Sequence, residues 1–186
     1  MDNRTLLGSS VVPFRLVFIM WLVYTVEFYV QMDFGWLGIM PRTLTGLPGV
    51  LTAPLIHGDL RHLVSNTVPL LFLGPVLFYF YPRIAPVVFV RCYLITNFLV
   101  WLLSPRLSYH IGASGLVYGL STFLIFFGLL RWNAWSLLIS AVVFLLYGGI
   151  FYGIFPDNPH VSWESHLAGV LVGIGSAYGF KDDRRV

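Results

Sequence analysis

Ser114 stands in the stretch "HIGASGLVYG", between Ala113 and Gly115, in a chain that is otherwise apolar for most of its length. A serine hydroxyl is a weak nucleophile until a neighbouring base takes its proton. The nearest histidine in sequence, His110, is separated from Ser114 by Gly112 and by the expected start of a helix, which disfavours a helical i, i+4 pair. His166, in "SHLAGVLVG", is the better candidate base. Acyl transfer also needs donors for the oxyanion of a tetrahedral intermediate. His62 and Asn66, in "RHLVSN", are four residues apart and so share a helix face, from which both side chains can donate to one point. A helix that begins at Ser114 leaves that residue's own N–H without an intrahelical partner, at the positive end of the helix dipole. No aspartate is placed to orient His166, so a two-residue dyad is expected rather than a triad.

The elements that must position these residues are membrane spans. Of the 186 residues, 58% are hydrophobic and only 10% charged, against about 25% charged in soluble domains. Six apolar segments emerge, at about residues 12–31, 60–81, 84–103, 114–130, 134–155 and 165–180. The expected fold is therefore an all-α membrane protein, a six-helix transmembrane bundle forming one domain over residues 1–186. The apolar run near the N-terminus is too long for a signal peptide and reads as the first span. The polar stretch "MDFGWLGIMPRTLTGLPGVLTAPLIHGD" is too long for a simple hairpin, which predicts a structured first loop. The net charge of +3 is spread along the chain without a basic stripe, so nucleic acid is not an expected partner. The single cysteine, Cys92, lies in an apolar run and reads as a small buried hydrophobe.

Basic residues orient the bundle. Arg4, Arg83, Arg131, Lys181, Arg184 and Arg185 fall on one side, Arg42, Arg61 and Arg106 on the other, which predicts that both termini are cytoplasmic. Arg15 fits the same side; Arg91, well inside the third span, is expected to snorkel or to pair with an interior carboxylate such as Glu27. The second, fourth and sixth spans then all start at the outer face. His62, Asn66, Ser114 and His166 thus come to one depth on one side, where polar groups are costly and face an interior or a water-filled cavity. Gly169 and Gly173 follow His166 at i+3 and i+7, and Gly115 and Gly119 follow Ser114. Small residues so spaced let membrane helices approach closely, near enough for proton transfer between Ser114 and His166. Tyr118, one turn below Ser114, is placed to pack on the imidazole. Glu164 and the loop histidine His160 read as structural and solvated, respectively. The Pro/Asn-rich loop "FPDNPHVSWE" and the fifth span suggest a movable lid for lateral entry.

"GASGLVYG" resembles the glycine-x-serine-glycine signature of rhomboid intramembrane serine proteases. "HGDLRHLVSN" and "SHLAGVLVG" resemble that family's second-helix histidine and asparagine and its last-helix histidine with spaced glycines. The similarity covers roughly residues 55–180, in the family's order. It implies a six-helix core with a serine–histidine dyad below the outer surface, cleaving transmembrane protein substrates among membrane lipids without cofactor or metal. By motif, Ser114 is the nucleophile, His166 the base, and His62, Asn66 and the Ser114 N–H the oxyanion hole. His57, Tyr118, Gly112, Gly115, Gly169 and Gly173 take supporting positions. The family's adjacent Trp-Arg pair in the first loop is absent, since Trp36 and Arg42 stand apart. With neither an extra seventh span nor a targeting extension, the minimal six-helix form in a bacterial plasma membrane is expected.

Other functions fit less well. An intramembrane metalloprotease needs an H-E-x-x-H pair or similar ligands, whereas His57 and His62 are five apart with no such glutamate. An intramembrane aspartyl protease needs aspartates within two spans, but Asp33, Asp59 and Asp157 lie in loops or at span ends. A transporter would show inverted repeats with broken midplane helices, and no such symmetry is visible. A serine between small residues can be only a packing residue, and a membrane asparagine only a tie between helices. A catalytically inactive rhomboid-like protein that holds or escorts membrane partners is therefore the alternative.

Overall fold

The structure is a computed structural model that describes residues 5–156 and 161–183. Asp157 and His160, and with them the middle of the expected lid loop, lie outside the described residues. Six long helices form the bundle: α1 (Leu6–Val30), α3 (Leu60–Phe80), α4 (Ala85–Leu103), α5 (Ser114–Arg131), α6 (Ala134–Tyr147) and α7 (Trp163–Phe180). A single turn, α2 (Gly49–Thr52), sits in the first loop. The helix α1 begins six residues before its predicted start because Thr5 caps it, its Oγ1 accepting from the Gly8 N–H at 3.0 Å. Helix α7 begins two residues early for a similar reason, with Ser162 as its cap.

The fifth span departs most from the expectation of one element over 134–155. Its α-helix stops at Tyr147, where "YGGIFYG" brings in glycines, and a 3-10 stretch continues over Gly148–Ile154. Fourteen α-helical residues rise ~21 Å and seven 3-10 residues ~14 Å. Together they suffice for a hydrocarbon layer of ~30 Å. Among the described residues, four helices, α1, α3, α4 and α5, are long and apolar enough to cross a membrane on their own terms. Helix α7 is more polar, carrying Glu164, His166 and four glycines.

Helix α5 is the centre. Its side chains are buried around the whole circumference, from Leu116 and Tyr118 to Phe123 and Phe127, as expected of a helix apolar on every face. It packs most extensively on α7 and also touches α6, α4 and α3, while α1 joins the bundle mainly through α3. The outward faces are as apolar as the core: Phe18, Phe144 and Leu145 are all exposed. Such a surface has no place in water and suits a lipid solvent.

The α5–α7 contact is made backbone to backbone. A Cβ added at Gly169 would collide with the Gly115 carbonyl and stand 3.1 Å from the Gly119 nitrogen. In lipid, where apolar burial gives no advantage between helices, such close packing supplies the attraction.

The first loop is structured, as predicted, and is held on the C-terminal half of α4. Trp101 Nε1 donates to the Thr43 carbonyl at 2.9 Å, Asn97 Nδ2 to Val50 at 3.1 Å and the Tyr93 hydroxyl to Leu51 at 2.6 Å. Ile39 and His110 exchange both backbone hydrogen bonds at 2.9 Å, joining this loop to the one before Ser114. The expected pairing of Arg91 with Glu27 is not formed. Arg91 lies over the Phe180 ring, 5.0 Å from its centroid, because α4 points it toward the end of the bundle where α7 finishes. Glu27, near the other end of α1, accepts from the Phe34 N–H instead.

The packing yields a test. Gly169→Val should lower stability by roughly 1–3 kcal/mol through overpacking, read as the midpoint of thermal unfolding in detergent. Gly175→Val, where an added Cβ meets nothing within 4 Å, should leave that midpoint within error of the parent.

Candidate active site

Each candidate side chain sits in the first turns of its helix, and a local cap or turn puts it there. Asp59 caps α3 by accepting from the His62 N–H at 2.8 Å, which fixes His62 in the first turn and Asn66 in the second. Before α5 the chain turns through Gly112, whose φ of +101° lies in the region that L side chains rarely adopt. A Cβ there would also lie 2.5 Å from Cε1 and Nε2 of His62. Glycine at this position therefore serves both the turn and the packing of α3 against the start of α5. Ser114 is the first residue of α5, preceded by the cap residue Ala113, so its N–H is one of the donors that an α-helix leaves free.

The close approach of α5 and α7 brings Ser114 and His166 together. The Ser114 Oγ lies 2.9 Å from His166 Nε2, and His166 Nδ1 lies 2.8 Å from the Gly153 carbonyl. A carbonyl oxygen only accepts, so Nδ1 carries the proton. In the neutral ring Nε2 is then the lone-pair nitrogen, free to accept from the serine hydroxyl. Tyr118 stacks on the imidazole with centroids 4.0 Å apart and planes 7° from parallel. His166 is buried, whereas Ser114 and His62 are half-buried and so remain reachable. Asn66 is buried, and its Nδ2 donates to the His62 carbonyl at 3.1 Å, leaving its second N–H for another acceptor.

His57 and His110 have different places. The His57 ring meets that of His62 edge-on at 4.9 Å, with the Leu55 backbone as a polar neighbour. Burial, with a smaller contribution from His62, pushes its pKa down to about 4. His110 does not bond to Ser114. It bridges Ser104 Oγ at 3.0 Å and Ser162 Oγ at 2.7 Å, and burial lowers its pKa as well. Glu164 holds the Arg106 guanidinium in a two-pronged ion pair, Nε–Oε1 and Nη2–Oε2 both 2.6 Å, while the same Nη2 donates to the Val161 carbonyl at 2.6 Å. His110 and Arg106 thus clamp the start of α7, one turn ahead of His166.

Two participants escape sequence reasoning. The Gly153 carbonyl has no side-chain signature and reaches His166 from the end of the 3-10 stretch that closes the fifth span. The Arg106–Glu164 pair joins residues 58 apart, and only their opposite charges hint at it.

The Rhomboid domain family model matches residues 42–182. This chain belongs to the rhomboid family. It is similar to uncharacterized proteins of Mycobacterium tuberculosis and Mycobacterium bovis, each 35% identical over 176 residues that cover 84% of this chain and 70% of the relative. An uncharacterized protein of Mycobacterium leprae is 34% identical over 143 residues, covering 70% of this chain and 55% of that protein. Rhomboid membership and the apolar helices make the chain an integral membrane protein. Among the described residues, no group of three or more His, Cys, Asp or Glu side chains could hold a metal ion.

Two measurements probe this arrangement. Arg106→Ala leaves the buried Glu164 carboxylate unpaired and should cost about 3 kcal/mol of stability; Arg106→Ala with Glu164→Gln should recover most of it. For His57, the unfolded chain takes up a proton near pH 6.5 that the folded protein refuses until about pH 4. Stability should therefore fall as pH drops through that window, by up to ~1.4 kcal/mol per pH unit. His57→Gln should flatten that slope in denaturant titrations repeated between pH 7 and pH 4.

Proposed function

We propose that this rhomboid is an active intramembrane serine protease, in which Ser114 is the nucleophile and His166 the general base. The observation that carries the reading is the 2.9 Å contact of Ser114 Oγ with the unprotonated Nε2 of His166, with the tautomer set by Gly153. His166 Nε2 takes the serine proton as Oγ bonds to the substrate's carbonyl carbon. The oxyanion so formed takes hydrogen bonds from the Ser114 N–H, His62 and the second N–H of Asn66. The C–N bond then breaks, His166 returns its proton to the leaving amine, and water, activated in turn by His166, hydrolyses the acyl-enzyme. Stacked Tyr118 holds the imidazole in plane, and Gly112, Gly115, Gly169 and Gly173 maintain the separations. His57 supports His62 from behind.

The substrates are transmembrane segments of other membrane proteins, and the reaction needs no cofactor. The distribution of arginine and lysine supports an orientation with both termini in the cytoplasm and the site opening to the outer face. The mycobacterial relatives support a bacterial plasma membrane. Residues 1–186 act as one rhomboid domain in this reading.

A serine-reactive fluorophosphonate tests it. The parent protein should be labelled, Ser114→Ala should not, and His166→Ala should lose label by roughly two orders of magnitude or more. Equal labelling of the parent and Ser114→Ala would show that the chain is instead a non-catalytic member that binds or escorts membrane partners.

A further inference from the structure

A cavity of about 660 Å³ opens beside the serine site, between the outer end of α1, the first loop and the segment before α5. Its wall includes two carboxylates, Glu27 and Asp33, and three amphipathic aromatics, Tyr24, Trp36 and Tyr109. His57 forms the side nearest the serine site, its ring against that of His62. Among the described residues, no Lys or Arg lines it.

The carboxylates are only half engaged. Glu27 Oε1 accepts from the Phe34 N–H at 2.8 Å and Asp33 Oδ1 from the Gly35 N–H at 2.7 Å. Glu27 Oε2 is buried without a hydrogen-bond partner, and His57, 1% exposed, has the Leu55 backbone as a polar neighbour. A buried carboxylate oxygen with nothing to bond is costly unless a ligand brings a donor to it. Glu27 itself is only partly buried. Carboxylates together with aromatic rings are what recognises an organic cation, by charge-assisted hydrogen bonds and by cation–π attraction. A metal ion does not suit this wall, because no three such ligands converge among the described residues.

We propose that this cavity is a specificity subsite that receives the side chain of a lysine or arginine in the substrate's extramembrane segment. This inference rests on the protease reading of Ser114 and His166. The shared His57–His62 wall places the subsite within a few residues of the bond to be cut. Glu27 and Asp33 take the ammonium or guanidinium, the aromatics cover its alkyl stem, and His57 accepts one of its hydrogen bonds.

The experiment uses transmembrane substrate peptides that carry a single Arg, or Gln in its place, at successive positions of the outer flank. At one position kcat/KM for Arg should exceed that for Gln by roughly tenfold, equivalent to one desolvated ionic contact. That ratio should fall close to one in Glu27→Gln and in Asp33→Asn, with fluorophosphonate labelling of Ser114 reporting that each variant retains a formed site. A parent protein that is labelled and cleaves, but shows no preference at any position, overturns the subsite alone. A preference kept in full by both variants also overturns it. Absence of labelling and cleavage in the parent defeats the protease reading, and the subsite with it. Stabilisation by phosphatidylethanolamine vesicles over phosphatidylglycerol vesicles, removed by Glu27→Gln and without any Arg preference, assigns the cavity to a lipid ammonium and likewise overturns the proposal.

Discussion

Helices α5 and α7 touch through their backbones, and the site depends on that contact. At Gly169 the neighbouring chain leaves no room for a Cβ, because the Gly115 carbonyl occupies the space. Larger residues there would push α7 outward, and a hydrogen bond between a serine on one helix and a histidine on the other tolerates only a few tenths of an ångström. In water such helices would be driven together by their apolar faces. In lipid the driving force is packing itself, so the residues that make the helices adhere are the same ones that set the Ser114–His166 distance.

Around this contact the end of the bundle that carries Ser114 is tied by polar bonds as well as by a small apolar cluster of Ile39, Ala53, Val100 and Ala168. Asp59 caps α3, His110 bridges Ser104 to Ser162, and Arg106 joins Glu164 and the Val161 carbonyl. The first loop is pinned to α4 by Tyr93, Asn97 and Trp101. The opposite end differs: there Tyr81, Phe123 and Phe127 pack edge-to-face and stacked. The contact of Ser114 with His166 lies at the end with the polar ties.

The imidazole shows how the fold supplies what the residue list lacks. Without a carboxylate partner, His166 needs another group to hold its tautomer, and the Gly153 carbonyl does so. That carbonyl belongs to the next-to-last residue of the 3-10 stretch, where a helix leaves its carbonyls without an internal partner. The glycines of "YGGIFYG" thus loosen the end of one span and orient a side chain on the next.

Much of this was legible in the chain itself. Hydropathy located the spans, and their starts put His62, Asn66, Ser114 and His166 in the first two turns of their helices. The spaced glycines of α5 and α7 pointed to their contact. These features are local, repeated at helical spacing, and enforced by the membrane, which admits few alternatives. Other features arose only in three dimensions. The pairing of Arg106 with Glu164, the displacement of Arg91 toward Phe180 rather than Glu27, and the role of His110 as a bridge each join residues far apart in sequence. Side-chain type does not encode partners at that range. The Gly153 carbonyl was invisible for a simpler reason, since every residue carries one and only the path of the backbone decides which is left free. The sequence by itself determined where the spans lie and which polar residues stand at their starts; the tertiary structure decided which atoms face one another, because that depends on how helix backbones meet.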